Sequence, residues 1–154
     1  PVADEDRGAR HRRLRAEYQA RDLARYAEAR GLELGEADRE ADSKPAALAL
    51  LWLAGQPESL VRSFVKRVFE QHFRGALALD DLEALSRVLA EVGAPAAGFD
   101  SFAREQGPAA LGALRAALVE VGVFDVPAYR LGGEVFIGRQ HLPRSGELLS
   151  GTPG

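Results

Sequence analysis

A chain of 154 residues suits one domain, or one domain carrying an inserted lobe, and 46% hydrophobic with 28% charged residues excludes disorder for its bulk. The net charge of −3 argues against a generic nucleic-acid binder, and the absence of cysteine excludes a disulfide framework, a thiol nucleophile, a four-cysteine zinc site and a CxxC redox pair. No apolar run approaches the ~20 residues that span a bilayer. No signal-peptide pattern opens the chain, so a soluble, cytoplasmic protein is expected. The chain begins Pro1-Val2-Ala3-Asp4 and contains no Met, so residue 1 is not expected to be the native start.

Glycine and proline punctuate a largely helical pattern. From about Arg10 to Arg30 there is neither, and Ala, Arg, Glu and Leu dominate, all strong helix formers. Gly31 offers a left-handed stop, and residues 31–44 are polar enough to read as a loop. Ser43-Lys44-Pro45 opens a second helix, with the Ser hydroxyl as the expected cap and Pro where its missing N–H costs nothing. Its body, Pro45 to Ala54, is apolar on every side, which predicts burial.

A third helix is predicted from about Pro57 to Arg74, where Leu60, Phe64 and Val68 run in parallel with Val61, Val65, Phe69 and Phe73. Asp80-Asp81-Leu82-Glu83 has the form of a capping box, with Asp80 as cap and Glu83 reaching back. The helix it opens carries Leu82, Leu85, Val88, Leu89 and Val92. Gly98 to Gln106 predicts a short helix bearing Phe99 and Phe102. Pro108 opens a last long helix with Leu111, Leu114, Leu118 and Val121 on its apolar side.

After Gly122 the texture changes to Val123-Phe124-Asp125-Val126-Pro127. Ala128 to Leu131 and Glu134 to Ile137 then predict two strands joined by Gly132-Gly133, whose residues supply the positive φ angles of a tight hairpin turn. Residues 141–150 can hold a short closing helix, against the signals of Pro143 and Gly146. A lone hairpin is marginal in water, and the chain offers no clear further strand.

Two segments then carry a family likeness: Gly122-Val123-Phe124-Asp125-Val126-Pro127-Ala128-Tyr129, and Glu134-Val135-Phe136-Ile137-Gly138-Arg139-Gln140-His141-Leu142-Pro143. They resemble the C-terminal end of thioredoxin-fold proteins of the DsbA-like group, above all 2-hydroxychromene-2-carboxylate isomerases and kappa-class glutathione transferases. In that family a "GVFGVP" segment carries a cis-proline and is followed by a hairpin and an "F-x-G-x-x-R-L" turn, matched here by Val126-Pro127 and by Phe136, Gly138 and Leu142. Tyr18 to Leu23 is similar to the family's "Y-x-x-x-D-L" helix, and Phe69 to Phe73 and Ala90 to Gly93 resemble segments of its helical lobe. The likeness runs from about Arg10 to Leu149.

The resemblance implies an α+β, mostly helical fold: a DsbA-type helical lobe over 10–121, then a thioredoxin-like hairpin and last helix over 122–150. A flexible start (1–9) and a tail (151–154) flank them. Cis X–Pro bonds are about 5% of such bonds in folded proteins, so only the surrounding motif predicts one at Val126-Pro127. Such a bond turns the Val126 N–H and C=O outward, where they can pair with an extended peptide. The resemblance implies that this peptide is glutathione, or a substrate segment. It also implies that Gly138, Arg139 and Gln140 form the turn that meets the γ-glutamyl carboxylate. Arg139 could hold a carboxylate bidentately, though the family's Asp for the ammonium group is absent. The alternative for Arg139 is a solvated surface charge.

Relatives carry their nucleophile-side Ser or Cys on an N-terminal strand–helix unit that has no counterpart ahead of the first helix here. No catalytic residue is therefore assigned, and the resemblance implies that it lies outside this chain. His11, His72 and His141 lack metal-ligand spacing, and His72 reads as a structural histidine. Asp42-Ser43 reads as a helix cap, and Ser145 has no G-x-S-x-G context. Arg10, Arg12, Arg13 and Arg15 could touch phosphates but read better as a charged helix face.

The first functional expectation is a glutathione-dependent isomerase or disulfide-oxidoreductase-like protein. Glutathione's activated thiol would add reversibly to a small aromatic or unsaturated substrate and permit bond rotation. Trp52, Phe64 and Phe69 are candidate pocket liners, with core packing the stronger role for each. The alternative is a non-catalytic member that binds a peptide or partner along the hairpin edge, or dimerises there. A DNA-associated role for the Arg10–Arg15 cluster is the most distant alternative; neither a nucleic-acid nor a membrane partner, nor a metal, is expected.

Overall fold

The computed structural model describes residues 7–35 and 42–150; the predicted flexible start through residue 6, residues 36–41 of the predicted loop and the tail 151–154 lie outside them. The chain falls into two compact units that part between Ala103 and Arg104.

The first unit contains α1 (Arg7–Glu28), α2 (Lys44–Trp52), α3 (Glu58–Phe73) and α4 (Leu82–Glu91), with α5 (Phe99–Arg104) at its end. Helix α1 opens three residues earlier than its periodicity suggests and closes on Gly31 at φ +63°. There the N–H of Leu32 donates to Ala27 O at 2.9 Å and that of Gly31 to Glu28 O at 3.0 Å. This pair of bonds satisfies carbonyls that the helix end would otherwise leave open. The same pairing of bonds recurs after α3 and α4.

Helix caps depart from expectation in two places. Ser43 stands at the N-cap of α2, but its hydroxyl makes no cap bond; Asp42 Oδ1 takes the Lys44 N–H instead, at 2.9 Å. At α4 the cap is Asp81 rather than Asp80. Its Oδ1 accepts from the N–H of Glu83 at 2.9 Å and of Ala84 at 3.0 Å. With Asp81 as cap, Glu83 is the second helical residue and out of position to reach back, and it pairs with Arg87 at 2.8 Å. Asp81→Ala is expected to cost about 1 kcal/mol, with Asp80→Ala near neutral, measured by urea denaturation of the two variants.

The core forms where α2, α3 and α4 meet. Leu53, Phe64, Leu85, Val88, Leu89 and Phe99 are its largest fully buried side chains. The two apolar rows of α3 divide: Phe64 and Val68 point into the core, while Phe69 is 59% exposed and stacks on Phe73 at 5.9 Å. A polar link of Arg67 and Gln71 to Glu91, each at 3.1 Å, ties α3 to α4. His72 is buried, and its Nδ1 lies 3.1 Å from Leu77 O, so that nitrogen must carry the proton it donates. The histidine is therefore a core residue with a satisfied ring. Trp52 lies at the core margin, its Nε1–H donating to Pro95 O at 2.7 Å and its ring 5.1 Å from Phe102 and 6.4 Å from Phe99. Gly35 donates its N–H to Phe73 O at 2.7 Å. A Cβ at Gly35 would overlap the Arg74 carbonyl, so only glycine lets the segment after α1 come this close to the end of α3.

The second unit contains α6 (Gly107–Glu120), β1 (Ala128–Leu131), β2 (Glu134–Ile137) and α7 (Leu142–Ser150), with a 3-10 turn at Arg139–His141. Leu111 of α6 is buried, whereas Leu114, Leu118 and Val121 on its predicted apolar side are exposed. The strands pair antiparallel with Leu131 opposite Glu134 and Ala128 opposite Ile137. Gly132 and Gly133 take φ +57° and +90° between them, as a two-residue turn of matching twist requires. Helix α7 packs on β1. Pro143 is no obstacle, because at the second helical position its missing N–H has no partner to lose. Among the described residues the sheet has these two strands, so each has an unpaired outer edge.

Candidate functional site

The five residues expected to form the site all belong to the second unit, at the open end of the hairpin. Helix α6 closes with the Val123 N–H on Leu118 O at 2.8 Å. The chain then runs without regular structure to β1, and its side chains face solvent: Phe124 is 77% and Val126 82% exposed. For a valine and a phenylalanine ahead of a strand this is unusual exposure.

The Val126–Pro127 peptide bond is cis. Ala128 and Ile137 are ladder partners, so Pro127 and Gly138 face each other one step beyond the ladder. The Gly138 N–H donates to Pro127 O at 2.8 Å. That bond joins the Val126–Pro127 segment to the turn of Gly138, Arg139 and Gln140, which are distant in sequence.

Gly138 itself sits at φ +102° and ψ 151°, a region open essentially to glycine alone. The conformation redirects the chain from β2 into the 3-10 turn, where the His141 N–H donates to Gly138 O at 3.3 Å. The turn is braced by Gln140, whose Nε2 donates to Ile137 O at 3.0 Å, and by the His141 ring, 5.7 Å from that of Phe136. The Gln140 side chain is thus folded back on its own turn. Arg139 is exposed at the start of the turn.

The carbonyl of Val126 accepts no hydrogen bond from the described residues. Its N–H is different: it donates to Asp125 Oδ1 at 2.8 Å. Of the two groups expected to pair with a peptide, the amide is therefore already engaged, by Asp125. Asp125 is the site residue missed by reading the sequence for likeness. The signal was present, since Asp125 stands where the family segment quoted above has glycine, a residue with no side chain to offer the amide.

The other candidates lie elsewhere. Phe64 is core, and Trp52 and Phe69 belong to the first unit. Among the described residues no group of His, Asp and Glu is placed to hold a metal ion. Ser145 Oγ is buried and has no hydrogen-bond partner among the described residues. A shallow cleft of about 270 Å³ lies at the turn end of the hairpin, lined by Leu131, Gly132, Glu134, Leu148 and Leu149, away from Val126. No helix among the described residues is long and apolar enough to cross a membrane.

Comparison with known proteins agrees with this architecture. No curated protein matches the chain. A solved structure of 2-hydroxychromene-2-carboxylate isomerase, in its selenomethionine form, superposes with a TM-score of 0.75 at 23% sequence identity, covering 92% of this chain and 68% of that one. At that identity the match establishes a shared fold: a mostly helical chain that ends in a hairpin and a last helix. The family model for the DSBA-like thioredoxin domain matches residues 4–150, so it takes in both the helical unit and the hairpin with its glycine turn. A match over nearly the whole chain makes this chain a member of the DSBA-like thioredoxin family.

Proposed function

We propose that the chain forms the peptide-holding side of a cytoplasmic, glutathione-dependent isomerase or oxidoreductase of the 2-hydroxychromene-2-carboxylate isomerase type. The observation that carries this reading is the exposed Val126 segment, held against the Gly138 turn by the Gly138–Pro127 hydrogen bond. An extended ligand with a carbonyl and an N–H at strand spacing can pair with such an edge as an added strand. The cysteinyl unit of glutathione has both groups.

The residues present fit that ligand in kind. Val126 offers a carbonyl that accepts from the ligand's amide. Gly138 lets the chain turn sharply beside it, and Arg139 brings a cation to the start of the turn, where a ligand carboxylate would be drawn. When bound, glutathione supplies a thiol that attacks an unsaturated or aromatic substrate of small size. The chain's own part is to hold and orient the tripeptide; the resemblance leaves the group that activates its thiol outside these residues. Fixing a nucleophile in one orientation lowers the barrier that a freely diffusing thiol faces.

Titration of the 15N-labelled chain with reduced glutathione tests the reading. Amide shifts clustered on Val126, Ala128 and Gly138 to Gln140 are expected at millimolar ligand. Shifts scattered over the helical unit, or none, would remove its support.

The second reading is a non-catalytic member that pairs with an extended peptide or with a second copy along the hairpin edge. The two unpaired strand edges favour it. It predicts that an unrelated extended peptide, or the chain itself at high concentration, perturbs the outer-edge amides more than glutathione does.

A further inference from the structure

The Val126 amide is the donor that a ligand residue paired opposite Val126 would need, and it already has a partner. Asp125 Oδ1 lies 2.8 Å from it. A carboxylate is a stronger acceptor for an amide than the neutral carbonyl of a peptide, so a ligand competes here at a disadvantage. Of the neighbouring groups, Ala128 has its N–H on the outer edge, because its pair with Ile137 is not hydrogen-bonded, but that donor serves a ligand residue two positions along. Pro127 has no N–H to offer, its carbonyl is bonded to Gly138, and the Gly138 N–H is used in that same bond. The Gln140 amide is turned to Ile137 O. Asp125 and Val126 are both exposed, and among the described residues the Val126 N–H is the hydrogen-bond partner of the Asp125 carboxylate.

We infer that Asp125 is a specificity-determining cap: its carboxylate occupies the Val126 N–H, and a ligand residue pairs fully with Val126 only when the Asp125 side chain rotates away. The inference rests on the reading of the Val126 segment as a peptide-pairing edge. It adds that this chain holds the edge partly closed, and that the closure is set by one exposed side chain rather than by the backbone. Ligands whose paired carbonyl is flanked by an anionic group are disfavoured twice, by loss of the donor and by charge. Ligands that bring an N–H or ammonium group to Asp125 keep the carboxylate satisfied after it moves, and are favoured over the rest.

Asp125→Ala and Asp125→Gly remove the cap at an exposed position where the fold has nothing to lose. Asp125→Asn keeps an oxygen acceptor without the charge. Each full chain is titrated with reduced glutathione and with an end-blocked peptide, acetyl-Ala-Cys-Ala-amide, which offers the same central main-chain groups without terminal charges. Dissociation constants are read from backbone amide shifts.

Both ligands are expected to bind Asp125→Ala about ten- to a hundredfold more tightly than the parent, with Asp125→Asn between them, the range set by one charge-assisted hydrogen bond. Equal affinity for parent and Asp125→Ala overturns the cap. A gain for glutathione alone also overturns it, since that is the signature of charge at a distance. If glutathione binds no variant while the blocked peptide gains on Asp125→Ala, the cap stands and the glutathione reading falls. If neither ligand binds any variant, both fall.

Discussion

Phe99→Ala is expected to destabilise the helical unit by about 3–5 kcal/mol, the cost of an aromatic side chain lost from a close-packed core. Phe99 is fully buried and lies beside Trp52, whose ring also meets Phe102 and whose Nε1–H holds the Pro95 carbonyl. The short α5 has six residues, too few to be stable alone, and Phe99 is its largest buried anchor, with Ala103 buried beside it. Trp52 is the only tryptophan in the chain, so its fluorescence reports on this unit and on no other part. The expected result in urea is a lower midpoint with an unchanged slope. Phe99→Leu, which keeps much of the volume, should lose clearly less. Equal midpoints for parent and Phe99→Ala would mean that α5 contributes little to the unit's stability.

The second large effect is expected at Gly138. Its φ of +102° with ψ 151° belongs to a region that costs residues with a Cβ about 1–3 kcal/mol, and alanine there would also run into the Gln140 side-chain amide. The two causes can be separated. The end of the Gln140 side chain can move aside, so the overlap is relieved cheaply, while the backbone cost remains. Gly138→Ala and the double variant Gly138→Ala with Gln140→Ala should therefore be destabilised to similar degrees. Rescue in the double variant would show that the overlap, and not the backbone, was the main cause. Amide exchange at Gly138 is the direct measure, since its N–H to Pro127 O is the bond that ties the two halves of the candidate site.

Much of the fold is legible in the chain because its helices are bounded by local chemistry. Gly31 and Gly93 end helices through bonds made within a few residues, and Gly132-Gly133 sets the hairpin register without help from elsewhere. The caps were harder. Asp80 and Asp81 are adjacent and chemically alike, and only the path by which the chain comes into the helix, extended at Asp81, decides which carboxylate meets the free amides. The α3 rows were harder for a similar reason. Val61, Phe64, Val68 and Phe69 are all apolar at helical spacing, and nothing local says that α2 and α4 will cover the Phe64–Val68 row and leave Phe69 outside.

The candidate site divides in the same way. Val126, Pro127, Gly138, Arg139 and Gln140 could be picked out in sequence, because they carry the family's segment and its glycine turn. Asp125 could be seen too, but its role could not: an exposed acid before a valine looks like a solvated surface charge until its Oδ1 is found on the next amide.

What the sequence determined by itself were the order of the elements, the hairpin turn and the family, since glycines and periodicity act over a few residues and need no partner. What the tertiary structure alone decided were which apolar face is covered, which of two aspartates caps a helix, and whether the amide of Val126 is open. Each of these depends on groups brought together by the path of the chain, at distances of a few ångströms that spacing along the sequence does not specify.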